Sequence, residues 1–291
     1  MSVAPPEVPS PSEIPDVDEA AHPPKAGRNL PAAILVGLAL GALILGTLFT
    51  RRSIFVGVIA VAIGVGVVEL CGALEHAGMK PARTPLVVGA TVTIVAAYER
   101  GTTALLFGLV VTCLACLAWR LADGVPGLVR DWTASVFVAT YVPFLAGFAA
   151  MMTAPRDGAA RIVAFIATAV CSDVGGYVAG VLKGRHPMAP SVSPKKTWEG
   201  FAGSTTACVV AGIALVSSIM EIAWWQGALY GLAVVGTATI GDLGESLIKR
   251  DVGIKDMGHL LPGHGGLMER LDSLLITAPV AWLLLTAWAP R

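Results

Sequence analysis

From about residue 30 onward the chain is a succession of apolar runs separated by short stretches of charge, Pro and Gly. Each run approaches the ~20 residues that a helix needs to cross a hydrocarbon layer. In lipid every backbone N–H and C=O must be paired inside the protein, so such runs can only be helices or the strands of a closed barrel. Their length and unbroken apolarity point to helices. Composition agrees. Of 291 residues, 55% are hydrophobic and 14% charged, with a mean hydropathy of +0.73, against about 25% charged in a soluble domain. The expected fold is therefore an all-α polytopic membrane protein with about nine transmembrane helices. The expected spans are 30–49, 53–74, 84–98, 101–122, 132–152, 158–182, 199–219, 224–244 and 273–289. The third is short and begins Thr-Pro, so it either crosses or re-enters.

Residues 1–29 are Pro-rich and acidic and cannot bury a core, which predicts a disordered cytoplasmic tail. They lack the basic patch and apolar run of a cleavable signal. Residues 30–155 are read as N-terminal transmembrane helices and 156–291 as a C-terminal catalytic region. With the N-terminus in the cytoplasm, 14 of the 20 Lys and Arg residues fall on the inside, as the positive-inside rule requires. Arg51 and Arg52 run against the bias. The loops at 183–198 and 245–272 are separated by two spans, so they share a side. Zero net charge gives no global basic field for nucleic acid. Five cysteines sit in apolar runs, and the Cys113–Cys116 pair has no second pair to complete a metal site.

The chemistry concentrates in the last third. Asp242, Glu245, Ser246 and Lys249 stand at i, i+3, i+4 and i+7, which puts them on one helical face. Intramembrane acids are functional by default, although a buried ion-pair lock with Lys249 or Arg250 fits the same spacing. Asp173 lies ten residues before Lys183, about 15 Å into a helix, where a carboxylate needs a partner, a metal or water. Beside it Gly176, Gly180 and Gly184 recur every four residues, a pattern for close helix packing. The loop Ser193-Pro-Lys195-Lys196-Thr197 precedes a helix start and suits phosphate binding. Glu199 can support that helix terminus. Further on come Lys255-Asp256, then His264-Gly265-Gly266, then Glu269-Arg270-Leu-Asp272. Acids offer hard oxygens for a cation such as Mg²⁺, basic groups neutralise phosphate, and Gly265-Gly266 allows close backbone approach. No nucleophile motif is present. Phosphoryl-type transfer needs mainly positioning and charge neutralisation.

The stretch Ser246–Asp272 resembles the signature of the phosphatidate cytidylyltransferases (CDP-diacylglycerol synthases). Ser246, Lys249, Arg250, Lys255, Asp256, His264, Gly265, Gly266, Arg270 and Asp272 fall in the family's order and spacing. Asp173-Val-Gly-Gly-Tyr177 and Ser193–Gly200 look like two further family blocks. The close match covers roughly 172–273. The resemblance implies transfer of a cytidylyl group from CTP to phosphatidate, with Mg²⁺ held by Asp242 and Glu269, at the cytoplasmic face of the cell inner membrane. It implies phosphate contacts from Lys195, Lys196, Lys249, Arg250 and Arg270. Ser193, Thr197, Ser246 and Lys255 join them as substrate-binding candidates, and Asp173, Asp256 and Asp272 as supporting acids. Membrane lipids are implied partners, and a homodimer is compatible with the resemblance. Where this chain has Glu269 the family normally has Asp, one methylene shorter. His264 either touches nucleotide or shapes its turn, and Glu69 either lines the site or does not. Two other readings stay open. One is a related CTP-dependent lipid kinase or CDP-archaeol synthase; the other is an ion-coupled secondary transporter, against which the one-sided clustering of polar residues argues.

Overall fold

The computed structural model describes residues 30–288 apart from 123, 125, 259 and 261–264. The 1–29 tail and His264 lie outside the described residues. Among the described residues the fold is all-α apart from one small ribbon. Helix α1 is Leu30–Thr50, α2 Arg52–His76 and α3 Arg83–Leu121. Helix α4 is Leu128–Thr153, α5 Gly158–Lys183 and α6 Trp198–Met220. Helix α7 is Trp224–Val252 and α8 Met268–Trp288. Between α5 and α6, strands β1 (Pro187–Ala189) and β2 (Ser193–Thr197) pair antiparallel, with Pro187 opposite Thr197 and Ala189 opposite Ser193. The ribbon was not expected from the sequence, where 183–198 reads as a loop.

Among the described residues seven helices, α2 to α8, are long and apolar enough to cross a membrane, and Leu35–Thr50 is a shorter apolar helix. Helix α3 contains two of the expected runs. Straight, its 39 residues would measure about 58 Å, nearly twice a hydrocarbon core. It bends instead at Gly101 (φ 70°, ψ −151°), a conformation open to glycine and little else. A Cβ on Gly89 would strike Thr112, and one on Gly108 would strike Thr93. The two halves therefore lie antiparallel against each other.

Two large apolar cores and a small one at Ala97, Leu105 and Met151 hold the bundle. One gathers Val67, Leu70, Leu86, Ile94, Val138 and Val142 from α2, α3 and α4, and reaches Met268 and Leu275 of α8. The other joins Phe55, Ile162 and Phe165 to Tyr230, Val234 and Ala281. Helix α4 carries a wide turn at Thr140–Phe144 around Pro143. Proline supplies no N–H and clashes with the preceding turn, and a π-type turn absorbs both defects.

The polar ends of the bundle differ. At one end Arg52 donates to the carbonyls of Pro155 and, at 2.5 Å, Arg156. These follow the end of α4, where carbonyls lack helical partners, so this arginine has a structural use that overrides the charge bias. At the other end Asp131, 1% exposed, binds Arg120 at 3.0 Å and accepts from the Lys80 N–H at 3.0 Å. Arg120 also donates to the Pro126 carbonyl at 2.7 Å. This cluster ties α3, α4 and the 77–82 turn together.

Removing one partner of a buried ion pair leaves the other uncompensated. Asp131→Ala is expected to lower stability by ~3 kcal/mol, read as a fall in the thermal midpoint of the purified protein. The double variant Arg120→Met/Asp131→Leu recovers part of that loss.

Candidate active site

Four segments meet at the Asp131 end of the bundle: the last turns of α5 and α7, the β1–β2 ribbon with the start of α6, and the start of α8. Helix α7 continues past the expected end at 244 to Val252, where Gly253 (φ 77°) caps it in the left-handed conformation. Asp242, Glu245, Ser246, Lys249 and Arg250 therefore all lie on helix. Helix α8 begins at Met268 rather than 273, so Glu269, Arg270 and Asp272 occupy its first turns. The polar loop contracts to 253–267.

Glycine packing sets the position of α6 against α5. A Cβ on Gly203 would lie 2.3 Å from the Ala179 Cβ and 2.6 Å from the Gly175 carbonyl. The backbones thus touch, and Ser204 Oγ donates to the Ser172 carbonyl at 2.6 Å. This contact brings the lysines of β2 over Asp173. Thr197 caps α6, its Oγ1 accepting from Gly200 N–H at 3.1 Å. Glu199 binds its own backbone N–H in the first turn of α6 and so supports that helix terminus as expected, and it also reaches back to the preceding turn. Its Oε2 accepts from the Arg185 and His186 N–H groups, each at 3.2 Å, and Oε1 meets His186 Nδ1 at 2.5 Å. It pins the turn between α5 and β1.

Two cavities result. The first, about 260 Å³, is lined by Asp173, Gly176, Tyr177, Lys195, Lys196, Thr197, Ser204 and Asp242, among others. Lys196 Nζ is 2.5 Å from Asp242 Oδ2. Arg270 and Lys196 are the charged partners of Asp173. The second, about 200 Å³, is lined by Ser193, Lys195, Ser246, Lys249, Arg250 and Lys255 and by no acid. Lys195 lines both. Asp256 is exposed in the loop beyond.

Beneath the cavities the helical stripe divides. Glu245, 3% exposed, forms the ion pair that its spacing allows, Oε2 to Lys249 Nζ at 3.0 Å. Lys249 also reaches Glu269 Oε1 at 3.5 Å. Glu245 also pairs with the Asp272 side chain. Asp272 also neighbours Asp242, and its Oδ1 accepts the Ser273 N–H at 2.6 Å. Tyr141 carries a buried hydroxyl with no hydrogen-bond partner. Nothing in its spacing singled out this residue; Pro143 inside an apolar helix was the one local signal.

Glu269 and Glu69 hold the 253–267 loop. Glu269 Oε2 accepts from Gly266 N–H at 2.6 Å and Oε1 from Met257 N–H at 3.3 Å. Glu69 accepts from Leu267 N–H at 3.1 Å and Met268 N–H at 2.8 Å. It thus satisfies the first orphan donors of α8 and complements the positive end of its dipole. Gly265 (φ 79°) and Gly266 do permit a close approach, but the group approaching is a carboxylate of the protein. A Cβ on Gly265 would lie 2.2 Å from Glu269 Oε2, and one on Gly266 2.9 Å from Glu69 Oε2.

Among the described residues no three His, Cys, Asp or Glu side chains close into a ready cation cage. The donor set nevertheless fits a hard divalent ion completed by substrate oxygens. Asp242 neighbours Asp173 on one side and Asp272 on the other, and Asp272 adjoins Glu245.

A family model, the cytidylyltransferase family, matches residues 31–288. The phosphatidate cytidylyltransferase of Mycobacterium leprae is 44% identical over 279 residues, 90% of this chain and 89% of that protein. The protein of the same name from Mycobacterium bovis is 40% identical over 280 residues, 92% of each. That from Brucella suis is 33% identical over 190 residues, 64% of this chain and 66% of its own. The chain belongs to the cytidylyltransferase family, enzymes that transfer a nucleotidyl group, here on a polytopic α-helical membrane fold.

Loss of the Glu69 carboxylate should free the 253–267 loop, whose Lys255 lines the second cavity. Glu69→Ala is expected to cost ~1–2 kcal/mol, the usual range for removing a helix cap. It should also speed tryptic cleavage at the exposed Lys255, followed by gel or mass spectrometry.

Proposed function

We propose that the protein transfers the cytidylyl group of CTP to phosphatidate, releasing pyrophosphate and forming CDP-diacylglycerol for phospholipid synthesis. The observation that carries this reading is the pairing of the two cavities. One is lined by acids and Lys196, the other only by cations among its charged groups, and Lys195 belongs to both. The names of the mycobacterial relatives point to the same substrates.

In this reading Lys195, Lys249, Arg250 and Lys255 bind the nucleotide polyphosphate, with Ser193 and Ser246 donating hydrogen bonds. Lys196 and Arg270 face Asp173 and Asp242, so a phosphate entering the first cavity meets positive charge beside the carboxylates. Asp242 and Glu269, with Asp173 and Asp272 near, would hold Mg²⁺, which when bound neutralises charge on the transferring and leaving phosphates. The phosphatidate phosphate is a monoester with a second pKa of ~6. It is largely dianionic near neutrality and needs no base from the protein. One of its oxygens bonds to the α-phosphorus of CTP. The bond from that phosphorus to the β-bridging oxygen breaks, and the electron pair leaves with pyrophosphate. The protein supplies orientation and preorganised charge. The catalytic side chains come from residues 156–291, with 30–155 supplying the supporting helices, and the site faces the cytoplasm from the inner membrane. A homodimer belongs to the same reading, and crosslinking in native membranes tests it.

The test is CTP turnover by the purified protein in phosphatidate-containing micelles, following the α-phosphate into lipid with and without a chelator. Label in lipid with pyrophosphate release, abolished by chelation, is the expected result. Release of CDP with γ-phosphate in lipid would replace this reading with a kinase. Asp242→Asn is expected to lower turnover at least ~100-fold, the scale of losing a principal electrostatic group, with an unchanged thermal midpoint. Retained activity would remove Asp242 from the metal site. An inactive wild type whose Glu269→Asp variant turns over would assign the defect to the extra methylene.

A further inference from the structure

The C-terminal end of α5 presents a charged surface that neither cavity uses. Val181 and Leu182 are 67% and 74% exposed, and Lys183 and Arg185 follow them, also exposed. Apolar side chains exposed on a spanning helix face lipid, so the two cations stand at the level of that lipid's headgroups. Trp198, 56% exposed at the start of α6, takes the interfacial position usual for its side chain. No acid neutralises the patch. Among the described residues neither Lys183 nor Arg185 takes part in an ion pair. Glu199, the one acid between 183 and 199, is spent on the Arg185 and His186 N–H groups and the His186 ring.

This patch abuts the first cavity. A Cβ on Gly184 would lie 3.0 Å from Thr197 Oγ1, and Thr197 lines the cavity, so the Lys183–Arg185 turn rests on its wall. Tyr177 lines the same cavity and is 73% exposed. It shares a helical face with the exposed Val174 and Val181, at i−3 and i+4. Tyr177 thus joins the cavity wall to the lipid-facing side of α5. Phe201, another lining residue, meets the Trp198 ring edge-on with centroids 6.1 Å apart. A headgroup moving from the leaflet towards the acids therefore passes the two cations first.

We infer that Lys183 and Arg185 form a docking site for the headgroup of phosphatidate, outside the reaction cavity and at its rim. The inference rests on the lipid substrate given under Proposed function. The monoester phosphate is the one charged group of that lipid and is largely dianionic near neutrality. It suits two neighbouring cations, one of which can bind two oxygens at once. The acyl chains lie against Val174, Val181 and Leu182 while the headgroup is held. The lipid then moves past Tyr177, and its phosphate passes to Lys196 and Arg270. Each cation beside an anionic headgroup strengthens its binding about fivefold. A zwitterionic lipid gains nothing from the site, so the rim selects before the cavity does.

The test separates docking from turnover. Binding of a fluorescent phosphatidate to the purified full-length protein in neutral-detergent micelles is read by anisotropy without CTP. KM and kcat are then measured with CTP present. Lys183→Gln/Arg185→Gln is expected to weaken phosphatidate binding and to raise its KM, each about 25-fold for the two charges together. The kcat, the KM for CTP and the thermal midpoint stay unchanged. Unaltered phosphatidate affinity in the double variant overturns the docking site. A lowered midpoint accompanied by a fall in kcat makes the two side chains structural and overturns it as well. Phosphatidylglycerol binding as tightly as phosphatidate, with the phosphatidate KM unmoved by the double substitution, makes the patch a general contact with anionic lipid and overturns its role in capture. Charge-dependent binding by a wild type that does not turn phosphatidate over overturns the cytidylyltransferase reading and leaves the docking site standing.

Discussion

Carboxylates carried on membrane-spanning helices need compensating charge nearby, and that need organises this end of the molecule. Asp242 and Glu245 are one turn apart on α7, too close to the bundle interior to be left to water. Each takes a lysine, but from different places. Asp242 draws Lys196 from β2, whereas Glu245 draws Lys249 from its own helix. Lys249 is then shared with Glu269 of α8. The three acids and two lysines thus connect the ribbon, α7 and α8. The Glu245–Lys249 pair is the buried one and costly to break, whereas Lys196 and Asp242 stay partly exposed and their pair positions more than it stabilises. Lys249 in particular fastens α7 to α8.

Charge alone would not bring β2 to the right height. The contact of α5 with α6 does so, because their glycines let the two backbones touch at Gly175 and Gly203. In a membrane, where apolar side chains gain little by leaving lipid, close backbone approach is a main source of helix association. The same contact carries the chemistry. It sets the distance between Asp173 on one helix and the lysines that precede the other. The glycine stripe, read from the sequence as packing, is therefore also part of how the cavity is built.

Much of this was legible from residue spacing. The i, i+3, i+4, i+7 stripe on α7 is real, and the ion-pair alternative for it proves correct for Glu245 while Asp242 pairs elsewhere. Spacing along one helix cannot choose between those fates, because the choice depends on a lysine 46 residues away. Helix ends were less legible. Hydropathy stops α7 near 244 and starts α8 near 273, since charged turns do not look like membrane spans. Backbone pairing extends both: Gly253 ends the first, and Glu69 stabilises the start of the second. Glu69 was ambiguous for the same reason, since its partners lie 198 and 199 residues further along the chain. The β1–β2 ribbon was invisible because its strands are short and carry Pro and Lys, with no alternation to read. Tyr141 left no periodic trace at all.

Glu269 raises the question of whether a carboxylate already committed to the fold can also serve a cation. Its two oxygens take the N–H groups of Gly266 and Met257 and the ammonium of Lys249. An ionised carboxylate has about four lone-pair sites, so each oxygen retains capacity. The bonds it makes restrict how those remaining lone pairs point, much as partners of any ligating group do. Gly265, in the left-handed region, turns the chain so that the next N–H meets the Glu269 side chain. An alanine at 265 would both strain that turn and collide with the carboxylate. Glycine at 265 and the carboxylate at 269 are thus fitted to each other in one turn.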